Sequence, residues 1–483
     1  MNARRFRRLH RARCEAALLT CVALTATSHA ANVQTPGFQP QTGLIALEHP
    51  NYGSVVALAG RQADATPRLG LIHYEEGGVR FREWSLPDGT AAVDVGPDSS
   101  GGDALFVLTD NAVHRVYARG TGLEHWHDTK SVFRGRSFAE LTRRIDFVRS
   151  LADLRVPFLT VPDFDVVHIV RANVTQTVPW PAYRRSYDAN VSYQPLTLAT
   201  AALPGGTRVY MVRGDTLHSF DLDDAITNQA RLPLGLSSEL ERESIYNSYE
   251  DIDQQDSVLR EVDQFTDING DGLPDILTLE TISAGVFDKT TTYQIYHGTL
   301  ADGELTFPAV PETRLANRGF QFGARLLPLD DGRHILVTAS VRVGVGTLIS
   351  ALFSRSVTMQ VRIYPPDLAG NIPSEPATTI KSKIEFDFGS GETDFPTIAF
   401  GDLDGDGVQD LVLKGRKRGL AWRRGLEDNQ FASRPTSLDI VGPADGTQLV
   451  LTDLDNDGRD DIVLAYGRAD GDRAGQLVVH MTR

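Results

Sequence analysis

Three aspartate-rich segments constrain the fold of this chain more than any other feature of its sequence. They align without gaps, with carboxylate or amide side chains at relative positions 1, 3, 5 and 9 and a glycine at position 6. A short apolar run such as Leu411–Leu413 follows each segment directly. The segments are residues 267–275, 402–410 and 453–461, named loops A, B and C below.

The spacing of oxygen-bearing side chains predicts a site for a hard cation in each loop. Ca²⁺ takes six to eight oxygen ligands, and the backbone carbonyl at position 7 can add to the side chains. Carboxylates held this close would repel one another without a cation, so calcium is the predicted cofactor. The predicted ligands are Asp267, Asn269, Asp271, Leu273 and Asp275 in loop A, Asp402, Asp404, Asp406, Val408 and Asp410 in loop B, and Asp453, Asp455, Asp457, Arg459 and Asp461 in loop C.

The loops are not predicted to be EF-hands. An EF-hand closes with a bidentate glutamate at position 12 and is flanked by helices. Position 12 is Thr278, Leu413 or Leu464 in these loops, and the flanking runs have the β-branched, apolar character of strands. Each loop is therefore predicted to join two β-strands. Loop A carries Asn269 where the others carry aspartate, so it is predicted to bind calcium most weakly.

The run Phe-Gly-Asp-Leu-Asp-Gly-Asp-Gly at residues 400–407 resembles the FG-GAP/VCBS repeat family. These are the calcium-loop repeats of integrin α-subunit heads and of many exported bacterial proteins. The resemblance is clear over residues 262–483, whereas residues 42–235 read as degenerate copies that lack the full ligand set. It implies that each repeat is one four-stranded blade of a β-propeller, with the calcium loop between the first and second strands of the C-terminal blades.

The predicted fold class is therefore all-β, a single β-propeller domain over residues 31–483. Strand-and-turn modules begin near residues 54, 92, 147, 197, 263, 321, 397 and 448, which gives eight blades, and seven remain an alternative. A strand around Thr42–Glu48 is predicted to complete the last blade and close the ring. The acidic stretch 237–263 is predicted to be an insertion between repeats.

Residues 1–30 have the pattern of a secretory signal peptide. Six arginines precede the small and apolar run Ala16–Ala26, and Ser28-His29-Ala30 offers a cleavage site. Removal of this segment changes the formal charge from −15 to −20 and removes both cysteines, Cys14 and Cys21. The exported protein is predicted to be periplasmic or secreted, without disulfides, with calcium in their place as a stabilising link.

Charge and motifs exclude several function classes. An acidic chain is poorly suited to coat nucleic acid, and no apolar run outside the signal is long enough to span a membrane. The sequence lacks a G-x-S-x-G elbow, an H-E-x-x-H pair and a phosphate-binding loop. His125 and His127 could share a transition metal on one strand face, but no third ligand is visible, and an ordinary outer strand is favoured.

The favoured function is that of a noncatalytic, monomeric binding or scaffold protein for an unknown protein or glycan partner. The alternative is a lyase-like enzyme that degrades polysaccharides, because some calcium-bearing propellers of this kind are lyases. A basic and an acidic side chain converging on the central channel, together with lysine, tyrosine or histidine, would favour the enzyme. Fold alone does not decide between the two.

Overall fold

The computed structural model describes residues 29–482 with short gaps, which are residues 34–37, 41, 50–52, 63–65, 76, 88, 91, 98–101, 110–111, 118–122, 129–147, 152–153, 163–165, 172–173, 180–184, 188–189, 193–196, 222–226, 239–254, 285–288, 330, 343–355, 388–391, 394–396 and 427–429. The signal peptide predicted at residues 1–30 lies outside this description apart from His29 and Ala30. In the described residues the helical elements are short 3-10 turns, at Arg416–Arg418, Gly446–Gln448 and Arg468–Arg473. No helix there is both long and apolar enough to cross a bilayer.

The described strands form eight four-stranded antiparallel blades arranged in a ring, which is a β-propeller. Strands are numbered in chain order.

Blade 1 contains β3 (Ile45–His49), β4 (Gly53–Arg61), β5 (Pro67–Glu75) and β6 (Gly78–Ser85), and blade 2 contains β7 (Ala92–Pro97), β8 (Asp103–Leu108), β9 (Ala112–Tyr117) and β10 (Glu124–Asp128). Blade 3 contains β11 (Val148–Leu151), β12 (Leu154–Pro162), β13 (Val166–Arg171) and β14 (Val174–Pro179), and blade 4 contains β17 (Thr197–Leu203), β18 (Gly206–Arg213), β19 (Thr216–Asp221) and β20 (Thr227–Arg231).

Blade 5 contains β21 (Gln255–Thr266), β22 (Asp275–Ala284), β23 (Lys289–Tyr296) and β26 (Thr313–Arg318), and blade 6 contains β27 (Phe320–Pro328), β28 (His334–Val341), β29 (Ser356–Tyr364) and β30 (Thr378–Asp387). Blade 7 contains β32 (Ile398–Gly401), β33 (Asp410–Lys414), β34 (Gly419–Arg423) and β37 (Thr436–Val441), and blade 8 contains β38 (Leu449–Thr452), β39 (Asp461–Ala465), β40 (Leu477–Met481) and β1 (His29–Val33).

The remaining strands are short additions to the blades or small hairpins, namely β2 (Gln39–Pro40), β15 (Arg185–Tyr187) with β16 (Asn190–Ser192), β24 (Thr299–Ala301) with β25 (Glu304–Thr306), β31 (Glu392–Thr393), and β35 (Gly425–Leu426) with β36 (Gln430–Phe431).

The hydrophobic core is divided among the faces between blades. Each of the eight pairs of neighbouring blades encloses its own cluster of buried apolar side chains, including the pair formed by blades 8 and 1. First strands of neighbouring blades also contact one another, as β3 contacts β38 and β32 contacts β38. The first strand of each blade therefore faces the centre of the ring.

The sequence pattern of each strand follows its place in a blade. β33 and β39 are second strands covered on both faces by neighbouring blades, and all five residues of each are buried. Such strands read as continuous apolar runs. In contrast, β26 is the last strand of blade 5, and its residues alternate strictly between buried and exposed. This alternation is expected because successive side chains point to opposite faces of a sheet.

The ring is closed by β1, and the predicted closing strand around Thr42–Glu48 is wrong. His29–Val33 pairs with Leu477–Met481 as the outermost strand of blade 8. Ile45–His49 is instead the first strand of blade 1 and pairs with Gly53–Ala57. The physical reason is that Ile45 and Leu47 are buried in the cluster between blades 1 and 2, where an outermost strand of blade 8 cannot reach.

The prediction of eight modules is confirmed, and the alternative of seven blades is wrong. The predicted insertion at residues 237–263 is also wrong in its second half, because Gln255–Thr266 is the first strand of blade 5. Residues 239–254 of that stretch lie outside the described residues. Polar residues dominate the start of this strand because it is not fully enclosed, and Val258 is itself exposed.

Candidate metal centre

Loops A, B and C occupy the same place in three different blades. Loop A joins the first and second strands of blade 5, loop B those of blade 7 and loop C those of blade 8. The predicted position of the loops between first and second strands is therefore confirmed. The corresponding turn of blade 6, which includes Asp331 and Gly332, is shorter and lacks the ligand pattern.

In loop B the position-1 aspartate shapes the turn. Asp402 Oδ1 accepts a hydrogen bond from Gly405 N at 2.7 Å, and Oδ2 accepts one from Gly407 N at 2.7 Å. Side-chain oxygens of Asp402, Asp404 and Asp410 lie within 4.8 Å of one another. Asp404 Oδ1 is buried without a hydrogen-bond partner. A buried orphan oxygen beside two further carboxylates fits a cation site.

Loop C repeats this geometry with its own residues. Asp453 accepts hydrogen bonds from Asn456 N and Gly458 N, at 2.7 Å and 2.9 Å. Oxygens of Asp453, Asp455 and Asp461 again lie within 4.8 Å of one another. Sequence-distant segments have therefore reached the same arrangement of carboxylates at positions 1, 3 and 9.

Loop A keeps the turn but differs at position 3. Asp267 accepts hydrogen bonds from Gly270 N at 2.7 Å and Gly272 N at 2.8 Å, as in the other loops. The amide of Asn269, however, donates to Asp271 Oδ2 at 3.0 Å. An amide that donates to a neighbouring carboxylate offers less negative charge to a cation than an aspartate does.

The position-9 aspartates are fully buried at the start of the second strand. Each accepts a hydrogen bond from the backbone N–H at position 2 and a second from a residue that follows the third strand of the same blade. For Asp410 these donors are Leu403 N at 2.9 Å and Gly425 N at 2.6 Å. Asp275 and Asp461 have the equivalent donors, Ile268 and Gly298 for the first and Leu454 and Thr482 for the second.

The residues at positions 5 and 7 of each loop are hydrogen-bonded to each other. The position-5 aspartates are exposed, and each accepts a hydrogen bond from the N–H at position 7, as Asp406 does from Val408 at 2.9 Å. Leu273 and Arg459 donate in the same way to Asp271 and Asp457. The structure therefore brings together positions 1, 3 and 9 in loops B and C, and leaves the position-5 aspartates exposed.

The residue at position 4 of each loop has a positive φ angle, as the glycine at position 6 does. Only the glycine at position 6 was predicted from the sequence to be needed for the turn. Gly405 and Gly407 have φ angles of 75° and 82°, and Asn456 and Gly458 have 65° and 87°. Positive φ is costly for most residues but is accessible to glycine and asparagine. The residues at position 4 of loops A, B and C are Gly, Gly and Asn, and this pattern could have predicted the positive φ angle there.

Burial makes ionisation of these carboxylates costly in the absence of a cation. Burial, with nearby carboxylates of the same loop acting in the same direction, raises the pKa of Asp410 to about 6 and the pKa of Asp461 to about 7. Burial also raises the pKa of Asp404. A bound cation would favour the charged forms and remove this cost.

Each loop is bonded to the next blade in the ring. A backbone carbonyl at position 1 or 2 accepts a hydrogen bond from the second strand of the following blade or from the loop that leads into it. The donors and acceptors are His334 N to Ile268 O at 3.0 Å, Asp460 N to Asp402 O at 2.6 Å, and Ser54 N to Asp453 O at 3.2 Å. The loops therefore lie at the seams between blades 5 and 6, 7 and 8, and 8 and 1.

The histidine pair on β10 is not joined to a metal cluster. A register shift separates His125 from His127, and His125 instead lies opposite His114 with ring centroids 5.7 Å apart. Its Nε2 is 2.8 Å from Asp128 Oδ1. Within the part of the chain that the structure describes, the groups of three or more acidic or histidine side chains close enough to share an ion are those of loops B and C.

The geometry of loops B and C agrees with a family match. Residues 402–464 match the FG-GAP-like repeat. This FG-GAP-like segment begins at the first ligand of loop B and includes all of loop C, whereas loop A lies outside it. The resemblance noted from the loop sequences is thus shown for this segment, in a chain that folds as a β-propeller.

The solved structures that match this chain are only distantly similar to it. No curated protein matches this chain. A crystal structure of BBS1N in complex with ARL6DN is 10% identical, with a TM-score of 0.35, 95% of this chain covered and 98% of that chain covered. The β-propeller domain of Cps50 (Swd1) from Myceliophteria thermophila is 11% identical, with a TM-score of 0.34 and coverages of 82% and 98%. Likeness at this level says nothing about function.

Loop A is expected to have the weakest cation affinity of the three. It offers three carboxylates where loops B and C offer four, and the number of charged ligands tunes calcium affinity. Titration calorimetry with Ca²⁺ should resolve one weak site, and Asn269→Asp should tighten it by roughly tenfold. Three equivalent sites in the unaltered protein, or an Asn269→Asp variant with unchanged binding, would contradict this expectation.

Proposed function

We propose that this protein is an exported, calcium-stabilised β-propeller that acts as a noncatalytic binding or scaffold protein for a protein or glycan partner. The observation that carries the proposal is the placement of the three loops. Each loop joins its own blade to the next one, so a cation there would hold the ring together and not a reacting group. Calcium is the cation chosen because every predicted ligand atom is an oxygen.

The residues present fit calcium in several respects. Loops B and C each bring three carboxylates together, and an oxygen of Asp404 is buried without a hydrogen-bond partner. The turn glycines leave the loop backbone free to wrap around an ion. Asp402, Asp404 and Asp410 would hold the ion in loop B, and Asp453, Asp455 and Asp461 would hold it in loop C. When bound, the ion would supply positive charge to carboxylates that are otherwise costly to ionise.

A noncatalytic role is supported by the use made of charged side chains on the first strands. These strands face the centre of the ring, where a catalytic group would have to act. Three of their charged side chains are committed to the backbone of the next blade: Asp94 to Val148 N, Asp263 to Ala324 N, and Arg325 to Ile398 O. Side chains used in this way join blades, which favours a scaffold over the lyase-like alternative.

Export is supported by the sequence pattern at residues 1–30 and by the chemistry of the loops. A chain without cysteines after residue 30 has no disulfide available. Metal links that bind only the folded state stabilise it by mass action, so they can serve the same purpose in a compartment rich in calcium. Cleavage after Ala30 would leave Ala31–Val33 of β1 paired with Leu477–Val479.

The proposed function is tested with protein purified from the periplasm or medium, where its N-terminus should be Ala31. This protein is applied to a glycan array and cross-linked to envelope proteins, in calcium and after chelation. We expect a partner that is captured in calcium and at least tenfold less after chelation, because loosened seams between the blades no longer hold their surface residues in one arrangement. The Asp404→Asn, Asp455→Asn variant should resemble the chelated protein.

The same preparation is incubated with acidic polysaccharides to test the lyase alternative. Formation of unsaturated uronic acid products, seen as a rise in ultraviolet absorbance, would contradict a noncatalytic role. An intact leader on protein that stays in the cytoplasm would contradict export. Capture that is the same with and without calcium would contradict the dependence of the binding surface on the loops.

A further inference from the structure

The residue at or just after the end of the third strand differs among the three metal-loop blades. Its neighbour in the chain donates the N–H that binds the buried position-9 aspartate, so the position is equivalent in all three blades. The donor and acceptor are Gly298 and Asp275 at 2.9 Å, Gly425 and Asp410 at 2.6 Å, and Thr482 and Asp461 at 2.9 Å. The preceding residues are His297, Arg424 and Met481.

In blade 7 this position places a permanent cation on loop B. Arg424 Nε is 2.7 Å from Asp404 Oδ2, and Arg424 Nη2 is 2.7 Å from Asp406 Oδ2. Asp404 therefore holds a guanidinium on one oxygen and leaves the other buried without a hydrogen-bond partner. A guanidinium can bridge two carboxylates in this way because its N–H groups are held in a fixed planar fork, which a single ammonium lacks.

Arg424 has two opposing effects on a cation in loop B. It neutralises part of the repulsion among the carboxylates when no metal is bound, which stabilises the cation-free fold. It also brings a like charge close to the metal and must share two carboxylates with it. Arg424 therefore stabilises the cation-free loop and destabilises the cation-bound loop. Both effects weaken the binding of a cation to loop B.

We propose that Arg424 lowers and sets the calcium affinity of loop B while it stabilises the calcium-free form of the blade 7 loop. This inference rests on the proposed function, in which the loop binds calcium. The contrast with loop C follows from the same position. Met481 is uncharged and buried there, so the three clustered carboxylates of loop C face the cation without a guanidinium from this position. Loop C is therefore the tightest of the three sites.

The test replaces the arginine by the residue that blade 8 carries, Arg424→Met, and measures Ca²⁺ binding by titration calorimetry. One of the three sites should tighten by three- to tenfold, and tenfold corresponds to about 1.4 kcal/mol. The melting temperature of the chelated protein should fall while that of the calcium-loaded protein is nearly unchanged. Adding Asp404→Asn to Arg424→Met should remove the tightened site and so assign it to loop B.

Two further variants keep the test specific. Arg231→Met removes an exposed arginine that pairs with Asp215 in blade 4, a blade without a metal loop, and should leave all three affinities unchanged. Arg424→Lys retains the charge without the planar fork that reaches both carboxylates, so the Ca²⁺ affinity of loop B should lie between those of the unaltered protein and Arg424→Met.

Unchanged affinity in Arg424→Met, with the same loss of melting temperature in calcium and in chelator, would show a purely structural arginine and overturn the inference. Weaker binding would show that Arg424 orders the ligands and would overturn it as well. In both cases the proposed calcium role would stand. Unaltered protein that binds no Ca²⁺ at all would overturn the proposed calcium role and this inference together.

Discussion

Removal of calcium should lower the melting temperature of the protein, produced as residues 31–483, by several degrees. Each site occupied at a hundredfold excess over its dissociation constant adds about 2.7 kcal/mol, which for a cooperative unit of this length amounts to about 3 °C per site. Differential scanning calorimetry with calcium and with excess chelator measures the shift. Re-addition of Ca²⁺ should restore the original melting temperature.

Variants assign this shift to the loops. Joint Asp404→Ala and Asp455→Ala changes should leave only the contribution of loop A, so chelation then has little effect. Asp128→Ala, at an aspartate whose side chain is 89% exposed on blade 2, is the matched control and should keep the full shift. A melting temperature that does not respond to chelation would mean that the loops do not stabilise the ring through calcium.

The same melts should show a characteristic dependence on pH. Asp410 and Asp461 have folded-state pKa values of about 6 and about 7 without a cation, above the ordinary value near 3.8. Each group therefore destabilises the calcium-free fold above its folded pKa, and this cost disappears as the pH falls toward the unfolded pKa. Calcium binding requires the ionised carboxylates. The gap between loaded and calcium-free melting temperatures should narrow from pH 8 to pH 5.5, and a constant gap would contradict this account.

In chelator at pH 5.5, below the folded-state pKa of Asp461, the carboxyl group carries little ionisation cost, and Asp461→Ala should destabilise the protein by about 3 kcal/mol or more. The buried carboxylate accepts backbone hydrogen bonds from Leu454 and Thr482, at 3.2 Å and 2.9 Å, and alanine would leave both donors unsatisfied. Urea unfolding with excess chelator measures this structural part separately from cation binding. Asp461→Asn keeps an acceptor oxygen and should cost less.

Asp457→Ala is the matched control for this prediction. Asp457 lies in the same loop but is exposed, and its carboxylate accepts a single local hydrogen bond from Arg459 N at 2.9 Å. Its removal in chelator should cost under about 1 kcal/mol. Equal losses for Asp457→Ala and Asp461→Ala would show that burial of the position-9 carboxylate does not anchor the loop.

Much of this architecture could be predicted from the sequence because it is written in local patterns. The ligand spacing located loops A, B and C, and the apolar runs after them predicted the second strands of the blades. Predicted module starts near residues 92, 147, 197 and 397 lie at or beside the observed first strands. Turns and strands depend mainly on neighbouring residues, so they can be predicted from a single sequence.

Features that depend on contacts between distant segments could not be predicted in this way. Ala31–Val33 is too short to read as a strand, and only its pairing with Leu477–Val479 makes it one. Arg424 follows the C-terminal end of the third strand and contacts loop B from there, and no sequence motif marks it. Asp460 resembles one more loop carboxylate, yet its Oδ2 accepts a hydrogen bond from Asp402 N at 2.8 Å in the neighbouring blade. Each of these roles is created by the closed ring.

The pairing of the first described strand with the last imposes an order on folding. Ala31 pairs with Val479, so blade 8 cannot be completed until the residues through β40 have been synthesised. Pairing between such distant residues pays a large loop-closure entropy and is slow to form. Until then β40 is an open sheet edge that another copy could occupy. Loop C, at the seam between blades 8 and 1, is the place where a cation would act on this closing step.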